Sequence, residues 1–192
     1  MIKKIKKLLA SDDEVLAALL PKPEPDLRTI GLFAEVEAEK IAEISHALLY
    51  LNEINQIEQD PEQRKPILFY LSTYGGNADD MFALYDLMRV VRTETQIHTV
   101  GLGKVMSAGV LLLAAGTKGE RRIGKNCRVM IHGVIAGQHG HIADIENEFS
   151  EAKSTQDLYI KALSEETDMT PKYIKKLMDK KTSVYLAAEE AV

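Results

Sequence analysis

Apolar positions along the chain alternate between short continuous runs and longer stretches of helical spacing, the pattern of strands exchanging with helices. Leu27 to Phe33 is strand-like. From Glu37 to Ile57 the residues Ile41, Ile44, Leu48 and Leu51 recur every three or four positions, which predicts a long helix with one buried face. Pro66 to Leu71 is apolar throughout, as expected of a strand covered on both faces of a parallel sheet. Ala78 to Arg92 returns to helical spacing, with Met81, Phe82, Tyr85 and Met88 on one face. Ile97 to Val100 reads as a short strand that gives way, through the glycines of Gly101 to Gly109, to a buried helix over the apolar block Val110 to Ala115. Thr117 to Lys125 is a polar turn region whose cations read as a solvated patch. Arg128 to His132 is a short strand. Ile142 to Thr167 keeps a 3-4 spacing through Ile142, Ile145, Phe149, Ala152, Tyr159 and Leu163, suited to packing against a helix of this chain or of a neighbour. Thr170-Pro171 opens a last helix to about Lys180, with Thr as N-cap and Pro at the first position. Val184 to Leu186 forms a short strand before Ala187 to Val192. Strands exchanging with helices place the fold in the α/β class.

Residues 1–26 follow another rule and read as an appended arm. Ile2, Ile5, Leu8 and Leu9 share one helical face with lysines on the other, Leu16, Leu19 and Leu20 suggest a second short helix, and Pro21, Pro23 and Pro25 enforce an extended linker. A segment that contacts a partner or gates an opening fits this arm better than a membrane-surface helix. At 192 residues, 45% of them apolar, the chain has material for one domain beside the arm. Its longest apolar run is closed by Lys118 and Glu120, well short of the roughly 20 residues of a membrane span. Ser11-Asp12-Asp13-Glu14 interrupts the basic, apolar start that a secretory signal requires. The single cysteine, Cys127, fits a reducing compartment and reads as a packed thiol, so the expected location is cytoplasmic. A net charge of −5 argues against a dedicated nucleic-acid surface.

Three positions carry candidate chemistry. Ser107 stands where a strand passes to a helix N-terminus, with free backbone N–H groups that could hold an oxyanion. The stretch is close to a nucleophile elbow, although Val105 stands where its first glycine would be, and a serine that merely caps the helix is the alternative. Gly75-Gly76 follows the Pro66 strand and allows close backbone approach of a ligand, or is an ordinary turn. His132 ends its strand. In strand-helix folds the C-terminal ends of strands share one edge with the turns that open the helices, so Gly76, Ser107 and His132 fall on the same edge. Serine with histidine as base is the minimum apparatus of acyl transfer. His46 has no chemistry-bearing neighbour in the sequence. His139-x-His141 lacks a nearby carboxylate or cysteine to complete a metal site, and no cofactor or metal is expected.

These residues resemble the proteolytic subunit family of the Clp protease (ClpP), within the ClpP/crotonase fold, over about Leu27 to Val192. Tyr70 to Asn77 is similar to the family's strand and Ser-Pro-Gly-Gly turn, with Tyr74 in place of the proline; Ala83 to Asp86 resembles its Ala-Ile-Tyr-Asp. Gly103 to Gly109 matches the nucleophile turn, and Arg128 to His132 the stretch with the catalytic histidine. The resemblance implies repeated β-β-α and β-α units with a protruding handle helix (about residues 133–160), Ser107 as nucleophile, His132 as base, and backbone N–H groups of Gly76 and Ala108 as oxyanion donors. It implies that substrate binds as an added strand between Asn77-Ala78 and Gly133-Val134. It further implies a heptameric ring or double ring fed by an AAA+ unfoldase, acting on polypeptides with neither nucleic acid nor membrane as partner. The chain departs from the family at the triad acid. Its acid-Arg-Asp trio reads Lys181-Thr182-Ser183 here, so Ser183 stands at the aspartate position and Asp179 is the nearest acid. The lost trio also contributes, in the family, to contacts between rings. A catalytically weak or inactive ring subunit that co-assembles with an active ClpP is therefore the alternative to an independent peptidase.

Overall fold

The computed structural model describes residues 27–179 and 182–192. The arm with its expected helices and linker lies outside these residues, as do Lys180 and Lys181. In chain order the elements are β1 (Thr29–Leu32), α1 (Ala38–Ile57), β2 (Ile67–Thr73), α2 (Ala78–Val91), β3 (Ile97–Met106), α3 (Ala108–Ala114), β4 (Arg121–Ile123), β5 (Arg128–Ile131), α4 (Ile142–Glu166), α5 (Pro171–Met178) and β6 (Val184–Leu186). This is the α/β architecture that the alternation of runs and stripes predicts.

The sheet runs β1-β2-β3-β5-β6, with β4 beside the first half of β3. All pairs are parallel except β5 with β6. Parallel strands need crossovers, and α1 and α2 supply two of them. Ile67, Phe69, Leu71, Met81, Leu84, Met88, Leu111 and Leu112 are buried together in the core between sheet and helices. The stripe Ile41, Ile44, Leu48, Leu51 of α1 is buried as its spacing predicts.

Two elements differ from expectation. β3 does not end at Val100 but continues through the glycines to Met106. It does so by bulging: Leu71 pairs with Gly101 and Thr73 with Val105, so β3 carries two extra residues there. The same irregularity lets it change partner, from β4 at Thr99–Gly101 to β5 at Lys104–Met106. The turn region Thr117 to Lys125 contains β4; Arg122 and Lys125 are exposed as expected of a solvated patch, but Lys118 and Arg121 are engaged. Lys118 Nζ donates to Glu165 O at 3.0 Å, and Arg121 donates to Ala114 O at 3.0 Å and to Glu166 O. These bonds satisfy carbonyls at the C-terminal ends of α3 and α4, where cations are favoured.

Helix α4 is half embedded. Tyr159, Ile160, Ala162, Leu163 and Glu166 are buried, while Ile142, Ile145 and Phe149 in its first half are exposed. Among the described residues no helix is long and apolar enough to cross a membrane.

Candidate active site

Ser107 joins β3 to α3 with φ 53° and ψ −123°, the one positive φ outside glycine among the described residues. Such a backbone costs on the order of 1–3 kcal/mol and persists only when its surroundings fix it. Here Ser107 N–H donates to Met130 O at 2.8 Å, and Ser107 O accepts from Val110 N–H at 3.0 Å and from the Tyr159 hydroxyl at 3.2 Å. The hydroxyl of Ser107 does not cap α3, since no side-chain cap bond exists there. Capping alone therefore does not account for the residue.

Gly75 and Gly76 are fitted against this elbow. Gly75 has φ 98°, and a Cβ on it would stand 2.6 Å from Ser107 Cβ. Its N–H is held by Thr73 Oγ1 at 3.0 Å. Gly76 lies in a bridge with Val36: Val36 N–H donates to Gly75 O and Asn77 N–H to Val36 O, both at 2.8 Å. The flanking groups thus face Val36, which turns the Gly76 N–H the other way. Neither Gly76 N–H nor Ala108 N–H has a hydrogen-bond partner among the described residues.

His132 follows β5, on the strand adjacent to the one that ends beside Ser107. Its Nδ1 lies 2.5 Å from the carbonyl oxygen of Gly133. A carbonyl only accepts, so the proton sits on Nδ1 and Nε2 is left as the acceptor. Neither Ser183 nor Asp179 bonds to the ring. Asp179 is the exposed C-cap of α5. Ser183 is exposed and precedes β6; Ile131 pairs with Val184, so extending that register by one residue sets Ser183 opposite His132.

A cleft of about 650 Å³ brings together Gly76, Asn77, Ala78, Ser107, Ala108, His132, Gly133 and Val134. Ser183 and Asp179 do not line it. Asn77 has a structural task as well, its side chain capping α2 through the N–H groups of Asp79 and Asp80. The expected substrate-pairing segment is satisfied from within. Gly133 O is taken by His132, and Val134 N–H donates to Gln156 Oε1 at 3.1 Å. No hydrogen bond joins Ser107 Oγ to His132.

Three contributors escape a reading of spacing. Tyr159 and Gln156 belong to the α4 stripe and its flank, yet they bond to Ser107 and Val134. Burial pushes the Tyr159 hydroxyl well above its ordinary pKa, so it remains a donor. Tyr74 is exposed at the cleft mouth with Lys104 Nζ 4.5 Å from its ring centroid. Cys127 is buried away from the cleft, and burial pushes its thiol pKa up.

The Clp protease family model matches residues 25–192 of the chain. The ATP-dependent Clp protease proteolytic subunit 1 of Prochlorococcus marinus (strain MIT 9312) is 34% identical over 165 residues, covering 86% of this chain and 79% of that protein. The protein of the same name in Gloeobacter violaceus is 34% identical over 164 residues, 85% of this chain and 78% of that protein. The one in Corynebacterium glutamicum is 34% identical over 166 residues, 86% of this chain and 74% of that protein.

Proposed function

Because the chain belongs to the Clp protease family, and with it to the ClpP-like serine peptidase subunits, we propose that Ser107 is its nucleophile and His132 its general base. The observation that carries this reading is the elbow: a strained serine at a helix N-terminus, two unpaired backbone N–H groups beside it, and a histidine whose Nε2 is free to accept. Ser107 Oγ attacks the peptide carbonyl while its proton passes to His132 Nε2. The N–H groups of Gly76 and Ala108 hold the resulting oxyanion. His132 then returns the proton to the leaving amine, and water repeats the sequence on the acyl-enzyme. Substrate pairs as a strand with Asn77-Ala78 and Gly133-Val134, which requires Val134 N–H to exchange Gln156 for the peptide, while Gly133 O keeps His132 Nδ1–H on one lone pair and accepts from the peptide on the other. Such main-chain pairing gives little side-chain selectivity and suits unfolded polypeptides.

The working unit is a heptameric ring or a pair of rings in the cytoplasm, formed by the domain of residues 27–192. An AAA+ unfoldase delivers substrate, and residues 1–26 take part in gating or docking. The uncharged partner of His132 favours a second reading, a weak ring subunit that co-assembles with a fully equipped ClpP. A fluorophosphonate that labels wild type but not Ser107→Ala, with peptide hydrolysis lost in the variant and assembly retained, is the expected result. Hydrolysis unchanged in Ser107→Ala removes the assignment. An unlabelled, inactive chain that enters rings only with another ClpP selects the second reading.

A further inference from the structure

We propose that Tyr159 is a positioning residue of this site, whose hydroxyl sets the direction of an oxyanion donor. The inference rests on the peptidase reading above. Its starting point is the peptide plane between Ser107 and Ala108. The plane is trans, as are all peptide bonds among the described residues, so the Ser107 C=O and the Ala108 N–H point in opposite directions. Whatever holds the carbonyl on one side aims the N–H at the other.

The Tyr159 hydroxyl donates to that carbonyl at 3.2 Å from the buried second half of α4. Val110 N–H binds the same carbonyl at 3.0 Å by an i→i+3 bond and Met130 O holds the Ser107 N–H at 2.8 Å, which leaves the carbonyl one freedom, to swing toward another donor through its second lone pair. The tyrosine occupies the second lone pair and closes that freedom. The Ala108 N–H is thereby kept without an internal partner, directed to the cleft that Ala108 lines. Tyr159 itself is well placed to act as a fixed post. It is buried, and its helix is pinned one to two turns later: Arg92 grips the Glu166 carboxylate at 2.7 and 2.9 Å, Lys118 holds Glu165 O, and Arg121 holds Glu166 O. The ring of Tyr159 does the packing, and the hydroxyl does the aiming.

Tyr159→Phe separates the two, since it keeps the ring and deletes the donor. It is compared with wild type, both as confirmed assemblies, on a short fluorogenic peptide and on a peptide aldehyde, whose serine adduct carries the oxyanion. Removing an oxyanion donor costs roughly 10²–10³ in kcat, and misaiming one should cost part of that. The expected result is a kcat lower by about 10–100-fold with KM within about twofold, and an aldehyde affinity that falls in step with kcat. A kcat within twofold of wild type, or a loss matched only by a smaller assembled fraction, overturns the inference. A second variant carrying 3-fluorotyrosine at position 159, a stronger donor of nearly the same shape, should hold kcat at or above the wild-type value; a fall there also overturns it. A wild type that is neither labelled by fluorophosphonate nor active fails at the peptidase reading and takes this inference with it. An active wild type with an unaffected Tyr159→Phe fails here alone.

Discussion

His132 is oriented but not charge-compensated. The Gly133 carbonyl fixes the proton on Nδ1, which is one of the two tasks of a triad carboxylate. It carries no negative charge to stabilise the imidazolium that forms when Nε2 takes the Ser107 proton. In a well-studied serine protease, loss of the carboxylate with the rest retained costs roughly 10⁴ in turnover. Wild type should therefore be slow on small peptides. Residues directly opposite on antiparallel strands bring their Cβ atoms to about 4.5–5.5 Å, and continuing the β5–β6 register one residue past its last pair, Ile131 with Val184, would set Ser183 opposite His132. Ser183→Asp should then raise kcat by about one to three decades, measured on a fluorogenic peptide with wild type and Asp179→Asn alongside. A fast wild type that collapses on Asp179→Asn would make Asp179 the acid. At Gly75 the constraint is steric. Alanine there combines φ 98° with a Cβ 2.6 Å from Ser107 Cβ. Gly75→Ala should lose about 2–3 kcal/mol of stability and nearly all activity. A variant with wild-type melting temperature and turnover would show that the elbow is not held where it stands.

At the scale of elements, runs and stripes were readable because burial selects for them directly. α1, β2, α2, β5, α4 and β6 lie where the pattern of apolar residues sets them, within a residue or two. The pattern ends β3 early because glycines between apolar runs signal a turn, whereas here they serve a bulge and a change of strand partner. That Lys118 and Arg121 are engaged is not legible in the sequence because their acceptors are remote: Arg121 finds Glu166 O 45 residues on. Ser107, His132 and Gly76 were readable as a group because all sit at strand ends. The Gly133 carbonyl and the Tyr159 hydroxyl were not, since no spacing rule reports where a backbone carbonyl or a ring hydroxyl points. The Glu166 cluster, likewise invisible to periodicity, has a measurable consequence. Burial pushes its carboxyl pKa up, but the Arg92 guanidinium and the Tyr85 hydroxyl together outweigh that and hold it below the ordinary 4.5. The same neighbours, burial first and then the Glu166 charge, push Tyr85 up to about 12. A depressed carboxyl pKa stabilises the fold above the unfolded value, and that share is lost as pH falls through the folded one. Urea midpoints should be flat from pH 6 to 8 and drop below about pH 4.5. Glu166→Gln should cost about 2–4 kcal/mol at pH 7, by leaving the partly buried Arg92 without its counter-charge, and should flatten the acid drop. An acid limb identical in both proteins would assign it to other carboxylates.

At the scale of the molecule, α4 poses the question of what covers its first half. This helix of 25 residues buries its second half in the domain, but Ile142, Ile145 and Phe149 stand 76%, 42% and 62% exposed along one face. Burying an exposed aromatic or branched side chain is worth about 1.5–3 kcal/mol, so in the proposed pair of rings several such residues per chain would make a strong contact between facing copies. The trio Lys181-Thr182-Ser183 would work against it, since it lacks the arginine and acid that the family resemblance implies for contacts between rings. In such an assembly the apolar stripe is the expected main adhesive. Native mass should show this directly. Wild type is expected at about seven or fourteen times the 21.4 kDa of one chain, the larger species held by the stripe. Phe149→Asp sets a carboxylate into each facing contact, where an unpaired buried charge costs several kcal/mol. It should halve the fourteen-fold species and leave a seven-fold one, because the stripe lies on the exposed half of α4 and not on the half that anchors it to the domain. A mass unchanged by Phe149→Asp would show that the rings meet elsewhere. A wild type that stays at the mass of a single chain until mixed with another ClpP would mean that the stripe is built to meet a different subunit, and would move this protein from the independent peptidases to the co-assembling ones.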